Sequence, residues 1–315
     1  MAYFAGQWLA SQTVDVSTRQ ALEVRLRLHI GPAFGDQELR AIRPSAVQAW
    51  LRGLQQQLAP SYVRVLLANL SGILRAAVDD GLIAQNPCQA KSVRAPAVPH
   101  LKVLPWSREQ VQAVVAAHPE RYRAVPVVAA GCGLRQGEVF GLRVSDVDFL
   151  RRVLHVRQQV KLLSDNHPIT TPPKGGKTRE VPLPDTVAMA LSERLRRHPV
   201  QPDGLIFTSR EAKPMNRNYY NAHIWKRALR AAGVESSRTN GMHALRHYYA
   251  SALLEGGISI KAVSEYLGHA DPGFTLRIYA HLMPTSDDRA RRAMDTSLGP
   301  DLQDHADSVR TDQGI

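Results

Sequence analysis

Four separated stretches of the 315-residue chain bring together residue types able to act on a phosphate ester: Gly133 to Glu138 (GLRQGE), Pro172 to Glu180 (PPKGGKTRE), His243 to His247 (HALRH) and Leu267 to His281 (LGHADPGFTLRIYAH). Taken singly, each is a weak signal. Arg135 reads equally well as a surface arginine, Lys174 as a turn lysine, and His243 with Arg246 as a solvated helix face, because such residues are commonly exposed. Taken together they suit in-line displacement at a phosphodiester. The transition state concentrates negative charge on the non-bridging oxygens, and two guanidiniums, each a fixed bidentate donor that stays charged, stabilise it with neither a metal ion nor a cofactor. Arg135 and Arg246 are of that type. A phenol with a pKa of about 10 attacks poorly until its proton is accepted, and a histidine near neutrality suits that task. His243 is the first candidate. Lys174, an ammonium on a hairpin tip, suits protonation of a leaving 5′-hydroxyl.

A metal-dependent reading competes for the same residues. His243 and His247 stand i, i+4, the spacing used by zinc hydrolases. The residues between them are Ala244, Leu245 and Arg246, with no glutamate to act as base, and a cation one turn from a metal would oppose it. No metal site is expected. Cys88 and Cys132 form neither a disulfide framework nor a four-cysteine zinc site, and read as small buried apolar residues.

Charge points to a polyanionic partner. The chain is net +12 at pH 7, with residues 99–294 alone carrying +12 and the last 21 residues net −4. Such a surface attracts nucleic acid. The apolar stretch from Ala124 to Gly133 is far short of the roughly 20 residues of a membrane span, and no signal segment opens the chain, so no membrane partner and a cytoplasmic location are expected.

The elements that must hold these residues follow from periodicity. Apolar residues recur at helical spacing over Ser17 to Ile30, Pro44 to Gln57 and Pro60 to Asp79, with stops at Gly31-Pro32 and Gly81. Residues 1–86 therefore form a helical unit. Residues 87–105, rich in proline and carrying Lys91 and Arg94, form an extended basic linker. A second domain, 106–298, opens at a capping box in Ser107-Arg108-Glu109-Gln110. Val153 to Val160 and Arg179 to Leu183 read as a hairpin around the Pro172 to Lys177 turn. Helices are expected over Asp185 to Arg197, Arg217 to Ala232, His243 to Glu255, Ser259 to Leu267 and after Asp271-Pro272. The fold class is mainly α with a small antiparallel β-sheet. Residues 299–315 form an acidic tail of low apolar content, expected to be disordered.

In this order and context the four stretches resemble the tyrosine recombinase family, the phage-integrase-type enzymes that cut and rejoin DNA through a 3′-phosphotyrosine without metal or ATP. The resemblance runs over nearly the whole chain. It implies a helical N-terminal core-binding domain and a mixed α/β catalytic domain. The family's first arginine matches Arg135, with its acidic companion at Glu138. The hairpin lysine matches Lys174, the H-x-L-R-H motif matches His243, Arg246 and His247, and the L-G-H motif matches His269. The nucleophile matches Tyr279, ten residues beyond His269. Tyr248 and Tyr249 lie in an apolar helical run and suit core packing instead, and Tyr219, Tyr220 and Tyr266 lie on helices without a neighbouring histidine. Glu138 would orient the site's cations, and His247 reads either as a supporting donor or as a satisfied core histidine.

The resemblance further implies double-stranded DNA recombination sites as substrate, a monomer in solution that forms a homotetramer at the synapse, and an accessory DNA-bending or directionality protein as a possible partner. Ser61 and Arg64, near the start of the third helix of the first unit, are DNA-contact candidates with Lys91, Arg94 and Lys177. A short helix over Asp287 to Met294, with Ala290, Ala293, Met294 and Leu298 uncovered, is expected to dock on a neighbouring subunit. Many phage integrases carry a further N-terminal domain for arm-type sites. This chain starts almost at its core-binding helices, which reads either as a simpler core-site recombinase or as a truncated start.

Overall fold

The computed structural model describes residues 1–99, 104–280 and 287–298. Five helices build the first unit: α1 (Ala2–Ser11), α2 (Val16–Arg25), α3 (Gly31–Phe34), α4 (Pro44–Gln55) and α5 (Pro60–Asp79). α2 starts one residue before Ser17, because Asp15 is its cap and accepts the Thr18 N–H. Helix α1 has no side-chain cap and no acidic first turn, which leaves its start unmarked in the sequence. Gly31-Pro32 does not stop the chain's helical course. A π turn over Leu26–Ile30 carries it into α3, widening the helix where Pro32 has no N–H to give. α5 is long and apolar enough to cross a membrane by length and composition alone. Its Val63, Leu66, Leu70, Ile73, Leu74 and Ala77 are buried, the larger ones each contributing about 1.5–3 kcal/mol by leaving water.

The segment after α5 is not extended throughout. Asn86 caps a 3₁₀ turn at Pro87–Gln89 by accepting the Cys88 N–H, Cys88 is buried, and Val93 packs against the helical core. Prolines set this turn because their φ is already fixed for it. A separate apolar core begins at Trp106, whose ring stacks on Trp225 at 6.0 Å. The two units also meet directly. Lys161 Nζ lies 3.5 Å from Asp15 Oδ1, and the Ser164 N–H donates to Gln20 Oε1 at 2.8 Å.

The second unit contains α6 (Arg108–Ala116), α7 (Ala124–Cys132), α8 (Gln136–Gly141), α9 (Asp185–Arg197), α10 (Arg217–Tyr220), α11 (Lys226–Ala231), α12 (His243–Glu255), α13 (Ile260–Leu267), α14 (Pro272–Tyr279) and α15 (Asp287–Leu298). A π turn over Asn221–Trp225 joins α10 to α11. The apolar α7 packs on both α9 and α12, so the helix bearing the H-x-L-R-H motif is set against the centre of the core.

Five strands occur among the described residues: β1 (Val147–Asp148), β2 (Val153–Val156), β3 (Gln159–Leu162), β4 (Pro168–Thr171) and β5 (Arg179–Pro182). They form two antiparallel sheets, β1-β2-β5 and β3-β4, with Leu154 opposite Val181 and Val160 opposite Thr170. The single strand expected over Val153 to Val160 is therefore two strands in different sheets. Between them Gln158 donates from Nε2 to the Gly141 carbonyl at 2.7 Å, which draws the chain onto α8 and turns it out of the first sheet. The Lys174 turn is the link from β4 to β5.

Candidate active site

Helix ends converge on one locus. α7 stops at Gly133, whose φ of +63° is left-handed and whose missing Cβ is replaced by the Tyr249 ring, 2.3 Å from where that atom would stand. A side chain there would collide with the ring and strain the backbone. The chain thus turns sharply into α8, with Arg135 as its cap. The Glu138 carboxylate accepts the Arg135 N–H at 2.8 Å and the Arg135 guanidinium at 2.9 Å. This is the reach from a third helical residue back to a cap, and it fixes both ends of Arg135.

Glu138 is fully buried and has a second cationic partner. Arg179, from β5, donates to Oε1 at 3.1 Å and to Oε2 at 2.7 Å. Burial alone would push this carboxyl up; the hydrogen bonds and charge of Arg179, with Arg135, overcome it and hold the pKa at about 2. Glu138 is consequently ionised at neutral pH.

Helix α12 presents His243, Arg246 and His247 at i, i+3 and i+4, the spacing of one helical face. Arg246 is 1% exposed and donates to the Gly133 carbonyl at 2.7 Å, to the Leu267 carbonyl at 2.5 Å, and to His269 Nε2 at 3.0 Å. It ties the ends of α7 and α13 together. Burial and the neighbouring Arg135 draw its pKa down to about 9, which still leaves it protonated at neutral pH.

His269 follows the left-handed Gly268 that caps α13. Its Nε2 faces a guanidinium, which can only donate, so the ring accepts there and carries its proton on Nδ1, 2.8 Å from Thr275 Oγ1. Burial, then the charge of Arg246, lowers its pKa to about 4. Thr275 is fully buried on α14, one turn before Tyr279.

Tyr279, the last residue of α14, is 2% exposed, and its hydroxyl lies 2.7 Å from His247 Nδ1. Burial pushes the phenol up to about 12, and burial, the neighbouring His243 and Arg246 pull His247 down to about 4. The pair therefore rests as neutral phenol and neutral imidazole. His243 is exposed and meets His247 edge-on, ring centroids 4.7 Å apart. The contact with the phenol is made by His247 and not by His243, the ring the sequence favours. On one helix the two lie a turn apart, and only the docking angle of α14 decides between them.

Lys174 is exposed on a 3₁₀ turn whose next two residues, Gly175 and Gly176, have φ of +79° and +70°. Among the described residues no hydrogen bond joins it to the buried cluster. Ser61, Arg64, Lys91, Arg94 and Lys177 are likewise exposed. Arg64 donates to the Pro96 carbonyl at 3.2 Å, and the Arg94 N–H donates to Gln48 Oε1 at 2.7 Å, so both fasten the basic segment to the helical unit. Of the other tyrosines, Tyr249 and Tyr220 are buried in the core and Tyr219 is exposed. Arg179 and Thr275 are absent from the sequence-derived set, although both lie inside the quoted stretches. No group of three His, Cys, Asp or Glu side chains fit to hold a metal occurs among the described residues.

Comparison with known proteins gives a consistent picture. The phage integrase family pattern matches residues 107–285, and the phage integrase central domain pattern matches residues 2–92. A tyrosine recombinase XerC-like protein of Caldanaerobacter subterraneus subsp. tengcongensis is 29% identical, over 88% of this chain and 78% of its own length. Tyrosine recombinase XerC of Mesorhizobium japonicum is 30% identical, over 86% of this chain and 85% of its own. Among solved structures, the Tn1549 transposon integrase in complex with a circular intermediate DNA superposes with a TM-score of 0.79 at 21% identity, covering 92% of this chain and 97% of that one. A lambda integrase dimer bound to a core site superposes with a TM-score of 0.69 at 20% identity, over 88% and 94%.

Proposed function

The chain belongs to the phage integrase family of tyrosine recombinases, and from that membership we propose that it performs site-specific recombination with Tyr279 as the nucleophile and a 3′-phosphotyrosine as the intermediate. The contact that carries this reading is the 2.7 Å approach of the Tyr279 hydroxyl to His247 beside the buried Arg246. Oη attacks the scissile phosphorus, its proton passes to His247, and the 5′-oxygen leaves with a proton from Lys174. Arg135, Arg246 and His269 hold the non-bridging oxygens. Exposed His243 stands at the mouth of the site, within the field of Arg135 and Arg246, where it suits a contact to the phosphate.

Free and DNA-bound states must differ. Arg246 and Tyr279 are almost wholly covered, and three of the five N–H groups of the Arg246 guanidinium are spent on protein acceptors. A phosphate has to reach both groups, so Arg246 and Oη must be uncovered. The free protein is accordingly held in a resting arrangement, and a weakly nucleophilic phenol is protected until DNA supplies the charge that the guanidiniums pair with.

The substrate in this reading is double-stranded DNA at a recombination site, gripped by both units with Ser61, Arg64, Lys91, Arg94 and Lys177 facing the backbone. Exchange of four strands needs four active sites, hence a homotetramer at the synapse built from monomers in solution, with an accessory DNA-bending protein where the site requires it. Suicide DNA that loses its 5′-fragment after cleavage traps the covalent complex. Incubation in chelator should yield a protein–DNA adduct stable to denaturant, and its absence on every cognate half-site would overturn the reading.

A further inference from the structure

None of the hydrogen bonds of Arg179 goes to Arg135, Arg246 or His269, yet it joins three of the elements that carry the phosphate-site residues. Its guanidinium grips both oxygens of Glu138, and its Nε donates to the Tyr266 carbonyl at 2.7 Å. Glu138 in turn holds the backbone and the side chain of Arg135. Tyr266 lies in the last turn of α13, where Gly268 reverses the chain into His269. A Cβ on Gly268 would stand 3.0 Å from the Arg179 guanidinium, so the turn and the arginine fill one another's space. Arg179 also opens β5, five residues after Lys174, which anchors the downstream end of the lysine's turn.

We infer that Arg179 is a positioning residue for the phosphate site. It aims Arg135 through Glu138, sets His269 through the Tyr266 to Gly268 turn, and holds one end of the Lys174 turn. An arginine is needed here because three donors leave one planar group toward two acceptors, a carboxylate and a carbonyl. Lysine keeps the charge but lacks the fork. Glu138 is shared by Arg179 and Arg135, but all three hydrogen bonds of Arg179 go to protein acceptors, whereas Arg135 is partly exposed and able to meet a phosphate.

The inference rests on the recombinase reading, and its test separates the two. Single-turnover formation of the covalent adduct is measured on suicide DNA for Arg179→Lys alone and in an Arg135→Ala background, with DNA binding and thermal melting followed in parallel. In the otherwise unchanged protein Arg179→Lys should slow adduct formation about 10-fold or more while DNA binding stays within about twofold, and in the Arg135→Ala background the further loss should shrink to about threefold, as coupled residues behave. A mere loss of folded protein multiplies equally in both backgrounds, so equal losses would overturn the inference, as would no loss in the unchanged protein. Arg179→Met combined with Glu138→Gln removes the buried charge together with its partner and so keeps a foldable core. It should show the same single-background loss with binding retained, and adduct formation at the unchanged rate would overturn the inference. Tyr279→Phe is run alongside. If it still forms adduct, the nucleophile assignment falls, whatever Arg179 does.

Discussion

The Tyr279 hydroxyl lies 2.7 Å from His247 Nδ1, while His243 stands one ring behind, edge-on to His247. On the proposed mechanism Tyr279→Phe removes the nucleophile, and with it the hydrogen bond to His247, while leaving the ring in its packing. It should bind site DNA nearly as well as the unchanged protein and form no covalent adduct on suicide DNA. His247→Ala should lower the rate of adduct formation by about 10²-fold or more, on the scale of losing a positioned base. A larger loss from His243→Ala, with His247→Ala nearly silent, would return the proton to His243.

The two arginines should separate in stability. Arg135 is 27% exposed, and Glu138 keeps Arg179 when it is removed, whereas Arg246 is buried and satisfies the Gly133 and Leu267 carbonyls. Arg135→Ala and Arg246→Ala should each cut cleavage about 10²-fold or more. Arg246→Ala should in addition destabilise the fold, by about 1–3 kcal/mol for each carbonyl left without a donor. Thermal melting distinguishes the two, and equal melting temperatures would contradict the buried tie.

Lys174 stands clear of the buried cluster on an exposed turn, so its loss should leave folding untouched. Lys174→Ala should slow cleavage of ordinary DNA and recover on a substrate whose 5′-leaving group is a thiol, which departs without a proton. A defect of the same size on both substrates would make Lys174 a binding residue.

Acid should act through His247 and His269. Both are held near 4 in the folded protein, below the ordinary 6.5, by burial and neighbouring cationic groups. The unfolded chain therefore binds more protons between about pH 6.5 and 4, and stability falls as pH drops through that window, with no loss from these groups above it. On the proposed mechanism a phosphate bound beside His269 would supply the opposite charge and raise its value, so binding to site DNA should take up a proton and strengthen as pH falls through the same range. Binding measured from pH 7 to 5 should show this, and His269→Gln should flatten it.

α15 leaves Met294 and Leu298 exposed, 54% and 56%, consistent with a face that needs a partner. Residues 281–286 and the acidic 299–315 lie outside the described residues. Truncation after Leu282 should leave a protein that binds DNA as a monomer and fails to assemble or recombine, while truncation after Gly299 should behave as the full chain. Complete recombination by the shorter protein would remove the docking role.

What the sequence determined by itself is local. The Ser107–Gln110 capping box forms with both of its hydrogen bonds, Asp271 caps α14 with Pro272 in its first turn, and the His243, Arg246 and His247 face of α12 follows from i, i+3, i+4 spacing. These residues lie two to four positions apart, so chain geometry alone places them within reach. The tertiary structure decided the rest. Arg179 meets Glu138 across 41 residues, Arg246 meets Gly133 across 113, and His247 meets Tyr279 across 32. It also split the strand expected at Val153 to Val160 between two sheets and set Cys88 and Val93 of the expected linker against the helical core. Such pairings depend on how helices dock and on which polar groups burial leaves without water. A buried carboxylate must find cations wherever packing brings them, and no periodicity along the chain records that.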